Sequence, residues 1–348
     1  MHMQDKKLKI LCFGAGAIGS YVGGSLATRG HEVHFIDRPE TIEKIKKFGI
    51  RLVLPEGPFD IVPDYLWSSF DEAIRENQFN FSIVAVKSFD TEKLIESWSD
   101  KKELIPPVLC LQNGVENEIK ISSVLGPEKT ISGTVTTAIG RIENGIIVER
   151  LRGIGIENKN ALTENIITIM NEAGLQAVGF KDAKSMKWSK LLTNLTTNAS
   201  SAILGMTPAE ILSDSDLFKI EIEQLRETIR VMRALRISVT DLPGTPVKLF
   251  AIIVEKFPHL ISKMILKKAI SGGRGGKMPS FYLDLKSNRK KSEVDYLNGA
   301  VVRFGKEANM PAPVNKKLTE VLTQLTLGDI PLLEYDHQPD KYKELFML

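Results

Sequence analysis

The hydrophobic rhythm of the chain changes near residue 182. Before that point, short apolar runs recur at Lys9–Phe13, Glu32–Ile36, Phe81–Val86, Val108–Leu111, Ile131–Ala138 and Gly145–Ile156. Runs of this length, bounded by Gly, Asn, Pro or charged residues, predict buried strands of an open sheet. Beyond it, apolar residues return every three or four positions. Helices are expected at 183–204, about 209–236, about 246–269, from 279, at 293–309 and at 313–327, punctuated by Pro243, Pro246, Pro311 and Pro313. The pattern predicts an α/β Rossmann-type domain over 1–182, an all-α domain over 183–330, and a tail over 331–348 that is extended or loosely held. A length of 348 residues favours two cores over one.

The first strand runs into Gly14-Ala15-Gly16-Ala17-Ile18-Gly19, and a helix is expected from there to about Arg29. Strand, G-x-G-x-x-G and helix within one βαβ unit predict a dinucleotide site. The first glycine permits the tight turn, the second lets backbone approach a pyrophosphate, and the third lets helix and strand pack closely. The helix N-terminus offers its free N–H groups to the phosphates. At the end of the second strand, Asp37 stands where an acid would bind the adenosine ribose of NAD. Arg38 follows it and would suit the extra phosphate of NADP, so either coenzyme stays open. Lys87 and Asn113 close two later strands, the ends at which ligands meet an open parallel sheet.

In the second half, Lys190, Asn194 and Asn198 are spaced four apart. On one continuous helix they would line one face, an ammonium and two amides able to hold a small acid; a solvated polar stripe has the same spacing. Ser292-Glu293-Val294-Asp295 reads as a capping box, with Glu293 in the first helical turn, where the helix dipole favours the ionised form. The loop Ser271–Lys277 is glycine-rich and carries two cations, a flap over a site or a plain surface loop.

Composition narrows the class. A net charge of +3, dispersed along the chain, gives no footprint for nucleic acid. Cys12 and Cys110 lie in apolar runs and are expected to be reduced core residues, and the five histidines show no metal-ligand spacing. The greasy stretch Val247–Ile270 is broken by Glu255, Lys256, Pro258 and Lys263, which suits a core helix rather than a membrane span. A cytoplasmic protein is expected.

The order of motifs resembles the ketopantoate reductase (2-dehydropantoate 2-reductase) family: Gly14–Gly19, Lys87, Gln112-Asn113-Gly114, Trp188-Ser189-Lys190-Leu191 with Asn194 and Asn198, Pro279-Ser280, and Glu293-Val294-Asp295-Tyr296-Leu297-Asn298-Gly299. The resemblance runs from about Lys9 to about Leu327. It implies a Rossmann domain followed by a helical domain of the 6-phosphogluconate-dehydrogenase type, with the active site in the cleft between them. It implies NADPH-dependent reduction of ketopantoate to pantoate, a step of pantothenate and coenzyme A biosynthesis. By position, Lys190 would donate the proton and Glu293 would touch both cofactor and lysine. Asn113, Asn194, Asn198 and Ser280 would hold substrate. Gly14, Ala15, Gly16, Ala17, Ile18, Gly19, Arg38, Lys87, Asn113, Ala138 and Glu293 would contact NADP, with NAD left open by Asp37. Met206-Thr207-Pro208, where some relatives carry an asparagine, and a segment Asp284–Glu293 one residue longer than usual, bear on which 2-oxo acid fits. The rival expectations are a reductase of another branched 2-oxo acid and a non-catalytic dinucleotide-binding regulator. The partner expected is a small 2-oxo acid, with no nucleic acid and no membrane; a homodimer is the open assembly state.

Overall fold

The computed structural model describes residues 7–75, 78–271, 276–287 and 290–346. It divides into two compact units, Met1–Lys187 with Leu242–Thr245, and Trp188–Asp241 with Pro246–Leu348.

The first unit runs β1 (Lys9–Phe13), α1 (Ala17–Ala27), β2 (Glu32–Ile36), α2 (Pro39–Phe48), β3 (Ile50–Leu54), β4 (Gly57–Ile61), β5 (Tyr65–Trp67), α3 (Phe70–Ile74), β6 (Phe81–Val84) and α4 (Thr91–Glu96). It continues through β7 (Val108–Cys110), α5 (Asn117–Leu125), β8 (Thr130–Val135), β9 (Ala138–Ile142), β10 (Gly145–Arg150), β11 (Ile154–Glu157), α6 (Ala161–Glu172) and β12 (Ala177–Phe180). Eight strands form one sheet in the order β12-β11-β8-β7-β6-β1-β2-β5, and four form a second in the order β4-β3-β10-β9. In the large sheet every described pairing is parallel except β8 with β11.

Both faces of the large sheet are covered, as parallel sheets require. On β1, Ile10 and Cys12 pack with Val22, Leu26 and Phe35 on one face, while Leu11 and Phe13 pack with Trp98, Val108 and Ile121 on the other. That alternation is the period of two of a strand. Cys12 and Cys110 are free and buried, and burial pushes both thiols well above the usual range, so they behave as core residues.

The sequence pattern places β1, β2, β6 and β7 correctly but joins or omits others. The run 131–138 divides into β8 and β9 at Thr136-Thr137, and 145–156 into β10 and β11. Thr136 and Thr137 turn their hydroxyls to the Gly153 carbonyl, at 2.9 and 3.4 Å, and thereby leave the ladder. Strands β3, β4, β5 and β12 are additional.

The second unit begins within α7 (Ala183–Leu195). It holds α8 (Asn198–Leu204), α9 (Pro208–Ser213), α10 (Ser215–Ala234), α11 (Val247–Lys256), α12 (His259–Ser271), α13 (Ser280–Lys286), α14 (Val294–Glu307), α15 (Pro313–Leu327) and α16 (Pro339–Glu344). Three expected helices are each two. The Asp214 carboxylate accepts the N–H groups of Asp216 and Leu217 at 2.8 and 2.9 Å and so starts α10 afresh after α9. Pro258, with no N–H to give, separates α11 from α12. The break between α7 and α8 concerns the site and is treated below.

Two carboxylates organise this unit from inside. Glu227 on α10 accepts the N–H groups of Val314 and Asn315 at 2.8 and 2.9 Å, capping α15 from a neighbouring helix. Glu221, a turn and a half earlier, is buried and faces α8 and α16. The tail expected to be loose is packed: Tyr342 on α16 is fully buried, its hydroxyl 2.7 Å from Ser200 Oγ, and the His337 N–H reaches the Leu204 carbonyl at 2.8 Å. No described helix is long and apolar enough to cross a membrane.

Candidate active site

The glycine turn follows β1, the strand from which the chain proceeds to β2 on one side and later to β6 on the other. This reversal of order is where open α/β sheets bind ligands. Gly14 has φ +98° and donates its N–H to the Ile36 carbonyl at 2.8 Å; a Cβ there would lie 2.9 Å from Val86 N. A Cβ on Gly19 would overlap the Gly14 carbonyl. Gly16 differs from both. It is the N-cap of α1, has no side-chain cap, and a Cβ on it would meet nothing nearer than the Arg141 guanidinium at 3.9 Å. Gly14 and Gly19 are therefore needed for the turn to close, whereas Gly16 keeps space open above the helix start, where Ala17 and Ile18 are half-buried. The first turn of α1 contains no acid. These features fit the phosphates of a dinucleotide.

At the end of β2, Asp37 Oδ2 accepts the Ala15 N–H at 2.7 Å and Oδ1 accepts the Arg38 N–H at 2.7 Å. The Arg38 Nε lies 3.7 Å from the same carboxylate, and the arginine side chain is 61% exposed against 14% for Asp37.

Lys87, after β6, and Asn113, after β7, stand on turns that are tied together. Ser88 Oγ donates to the Asn113 carbonyl at 3.0 Å, Asn117 Nδ2 donates to the same oxygen at 2.7 Å, and Gln112 Nε2 donates to the Val86 carbonyl at 3.0 Å. Both candidate side chains are half-buried, and Ala138 is buried as the first residue of β9. Lys187, not singled out in the sequence, anchors the start of α7 in this unit. It is buried, pairs with Glu118 at 2.6 Å and donates to the carbonyls of Gln112 and Gly133 at 2.7 and 3.1 Å. Arg141, on β9, was also unmarked.

In the second unit the expected stripe is interrupted. Lys190 and Asn194 lie one turn apart on α7, both half-buried, but α7 ends at Leu195 and Asn198 opens α8. Thr197 between them is left-handed, with φ +55°. For a β-branched residue that conformation costs about 1–2 kcal/mol. It is held because the buried Glu221 carboxylate accepts the Thr197 N–H at 2.7 Å and also takes hydrogen bonds from Ser200 Oγ and from Gln224 Nε2, the latter at 2.6 Å. Asn198 consequently points its amide elsewhere than a continuous helix would. Its Oδ1 accepts the Phe281 N–H at 3.0 Å and its Nδ2 donates to Ser280 Oγ at 3.3 Å. Asn198 and Ser280 are thus brought together, with the exposed Ser280 at the start of α13.

Glu293 is buried, but as the N-cap of α14 rather than inside its first turn. Ser292 Oγ accepts from Val294 N at 3.2 Å, and Asp295 pairs with Arg303 at 2.8 Å, so the expected capping box is absent. Of the glycine-rich loop 271–277, residues 272–275 lie outside the described residues. Among the described residues there is no cluster of three His, Cys, Asp or Glu able to hold a metal.

Comparison with known proteins identifies relatives along nearly the whole chain. The family model "Ketopantoate reductase PanE/ApbA" matches residues 10–156 and its partner "Ketopantoate reductase PanE/ApbA C terminal" matches 182–326. The 2-dehydropantoate 2-reductase of Pyrococcus horikoshii is 28% identical over 317 residues, covering 88% of this chain and 94% of the relative. A PanE/ApbA family ketopantoate reductase from Ralstonia eutropha superimposes with a TM-score of 0.76 at 25% identity, covering 92% and 98%. A D-mandelate dehydrogenase, solved with NADH and anilino(oxo)acetate, superimposes with a TM-score of 0.74 at 24% identity, covering 92% and 98%, and shares the fold. With both family models matched in order over these two stretches, the chain belongs to the ketopantoate reductase family.

Proposed function

We propose that this protein reduces a 2-oxo acid, 2-dehydropantoate foremost, to the 2-hydroxy acid with NADPH. The observation that carries the reading is the match of both halves to one reductase family, joined to a glycine turn whose open position is Gly16.

When bound, the nicotinamide supplies the hydride that reduces C2 of the substrate. The chain's own residues bind, orient and move the proton. The backbone of Gly14–Gly19 holds the phosphates, and Lys87, Asn113 and Ala138 border the nicotinamide half. Lys190 meets the developing charge on the keto oxygen and gives it a proton, a contribution typically of ~10²–10⁴-fold. Glu293, carboxylate-bearing at a helix start, keeps the ammonium oriented. Asn194 and Ser280 hold the substrate's carboxylate and hydroxyl groups. Asn198 spends both ends of its amide on Ser280 and Phe281, so its part is to fix the start of α13 as well as to offer its remaining N–H.

The preference for NADPH rests on the disposition of Asp37 and Arg38. Each Asp37 oxygen is engaged by a backbone N–H, while Arg38 is the exposed group at the end of β2. A 2′-phosphate would find the guanidinium first. The second reading is NADH with a different 2-oxo acid, favoured by the fold shared with a D-mandelate dehydrogenase that carries NADH. The test is oxidation of NADPH and NADH by the purified protein with 2-dehydropantoate and a panel of branched and aromatic 2-oxo acids. Turnover of 2-dehydropantoate with NADPH above the rest is expected. No turnover of any 2-oxo acid with either coenzyme would remove the reading.

A further inference from the structure

We propose that Arg141 is a pyrophosphate clamp of the dinucleotide site, binding the part that NADPH and NADH have in common. The proposal rests on the dinucleotide reading above and adds a residue that no motif marks. Arg141 lies on β9, which is held on one side by antiparallel pairing with β10, Ile146 opposite Arg141. Residues two apart on a strand share a face. Ile139 packs into the same apolar cluster as Ala17 and Ile18 of α1, so Arg141, two residues on, projects along the same face past the start of that helix. Its guanidinium is the group nearest to a Cβ built on Gly16, at 3.9 Å. Position and direction come from a paired strand rather than from a loose loop.

The electrostatics point to an anion between the two. The N-terminus of α1 carries roughly half a positive charge, uncapped by any side chain, and the arginine brings a full one. Among the described residues, no hydrogen bond or ion pair occupies the Arg141 side chain. Asp37, the carboxylate that reaches the glycine turn at Ala15, is already committed to Ala15 and Arg38 backbone N–H groups. Two positive groups facing an open space, above the glycine that lets backbone approach a pyrophosphate, suit a diphosphate. The geometry separates the duties of two arginines: Arg38 at the end of β2 reads the ribose side, and Arg141 neutralises the diphosphate.

The experiment titrates NADPH, NADH, ADP-ribose and adenosine into the wild type, Arg141→Gln, Arg141→Lys and Arg38→Gln, following reduced-nicotinamide fluorescence or calorimetry at two salt concentrations. For Arg141→Gln, NADPH, NADH and ADP-ribose should each weaken by about tenfold or more, the scale of one lost charged hydrogen bond. The NADPH-to-NADH ratio should stay within twofold of wild type, adenosine should be unaffected, and the lysine variant should recover part of the loss. Arg38→Gln should change the ratio instead. Unchanged affinities in Arg141→Gln would overturn the clamp, and so would a loss confined to NADPH, which would place Arg141 at the 2′-phosphate. A wild type that binds neither dinucleotide would fail at the underlying reading, a result visible before any variant is compared.

Discussion

Two turns that carry candidate binding residues are built in opposite ways. At Gly14–Gly19 the sequence itself supplies the shape, because glycines stand where φ is positive or where a Cβ would overlap backbone. At Thr196–Asn198 the residues resist the shape, and a left-handed threonine is held by a carboxylate 24 residues away. The first turn is local chemistry. The second is a tertiary decision, in which a buried acceptor offsets the strain of the backbone it accepts from. A turn shaped by its own glycines can therefore be read from six residues, while one a few residues long that is held from elsewhere can be invisible without its partner.

The comparison can be broken by substitution. The largest effect should come from Lys190→Ala, with turnover falling by about 10²–10⁴-fold while dinucleotide affinity stays near wild type. Steady-state kinetics beside a binding titration would check this, and retained turnover would remove Lys190 from the chemistry.

Next comes a pair in the glycine turn. Gly19→Ala should cost about 1–3 kcal/mol of stability, because its Cβ collides with the Gly14 carbonyl. Gly16→Ala should leave the thermal midpoint nearly unchanged, since the space is open, yet weaken dinucleotide binding by filling it. Equal destabilisation by both would contradict the division between closing glycines and the open one.

At the other turn, Glu221→Gln should cost about 1–3 kcal/mol, and the cost should depend on pH. Burial raises the Glu221 carboxyl from the ordinary carboxylate range to about 7. Over that interval the folded state retains a proton that the unfolded state releases, so stability present at acid pH is lost as pH rises towards about 7. The side chains that bond this carboxylate, Ser200 and Gln224, and Tyr342 beyond Ser200, bear no charge there. The glutamine variant cannot titrate. Its chemical-denaturation stability should lose less than the wild type between pH 5 and 7.5, and parallel profiles would show that Glu221 does not titrate in this window.

The smallest effect should be that of Tyr342→Phe, which removes one hydroxyl from Ser200 at a cost of about 1 kcal/mol. A loss of stability with no change in dinucleotide affinity is expected, because the residue supports the second turn only. A change in dinucleotide affinity would count against that assignment.

The contrast also explains what the sequence made legible. The Gly14–Gly19 fingerprint, the flanking strands and the helical character of the second half announce themselves through local rules. The α7–α8 break does not, because Thr196-Thr197 has no stop signal and its cause sits on α10. The α11–α12 break was signalled by Pro258, and the start of α10 by an aspartate of N-cap type. Strands β3 and β4 were obscured by Pro55, Pro58 and Gly57, although Ile50, Leu52 and Leu54 alternate on β3. At the site, Asn198 was found by spacing on a helix that proves interrupted, so the residue was legible and its direction was not. Lys187 and Arg141 stayed hidden because a cation beside the conspicuous Lys190, or at a strand end, looks like ordinary surface.

The Tyr342–Ser200 contact joins positions 142 residues apart. During synthesis, a ribosome that has released Ser200 and Glu221 must still deliver α16 before this buried acid and hydroxyl acquire their covering ring. The first unit, whose turn is specified by its own glycines, is complete once Leu242–Thr245 has been made. Nascent chains halted before residue 342 should therefore acquire dinucleotide binding while the α8 region is still open to a chaperone or a protease.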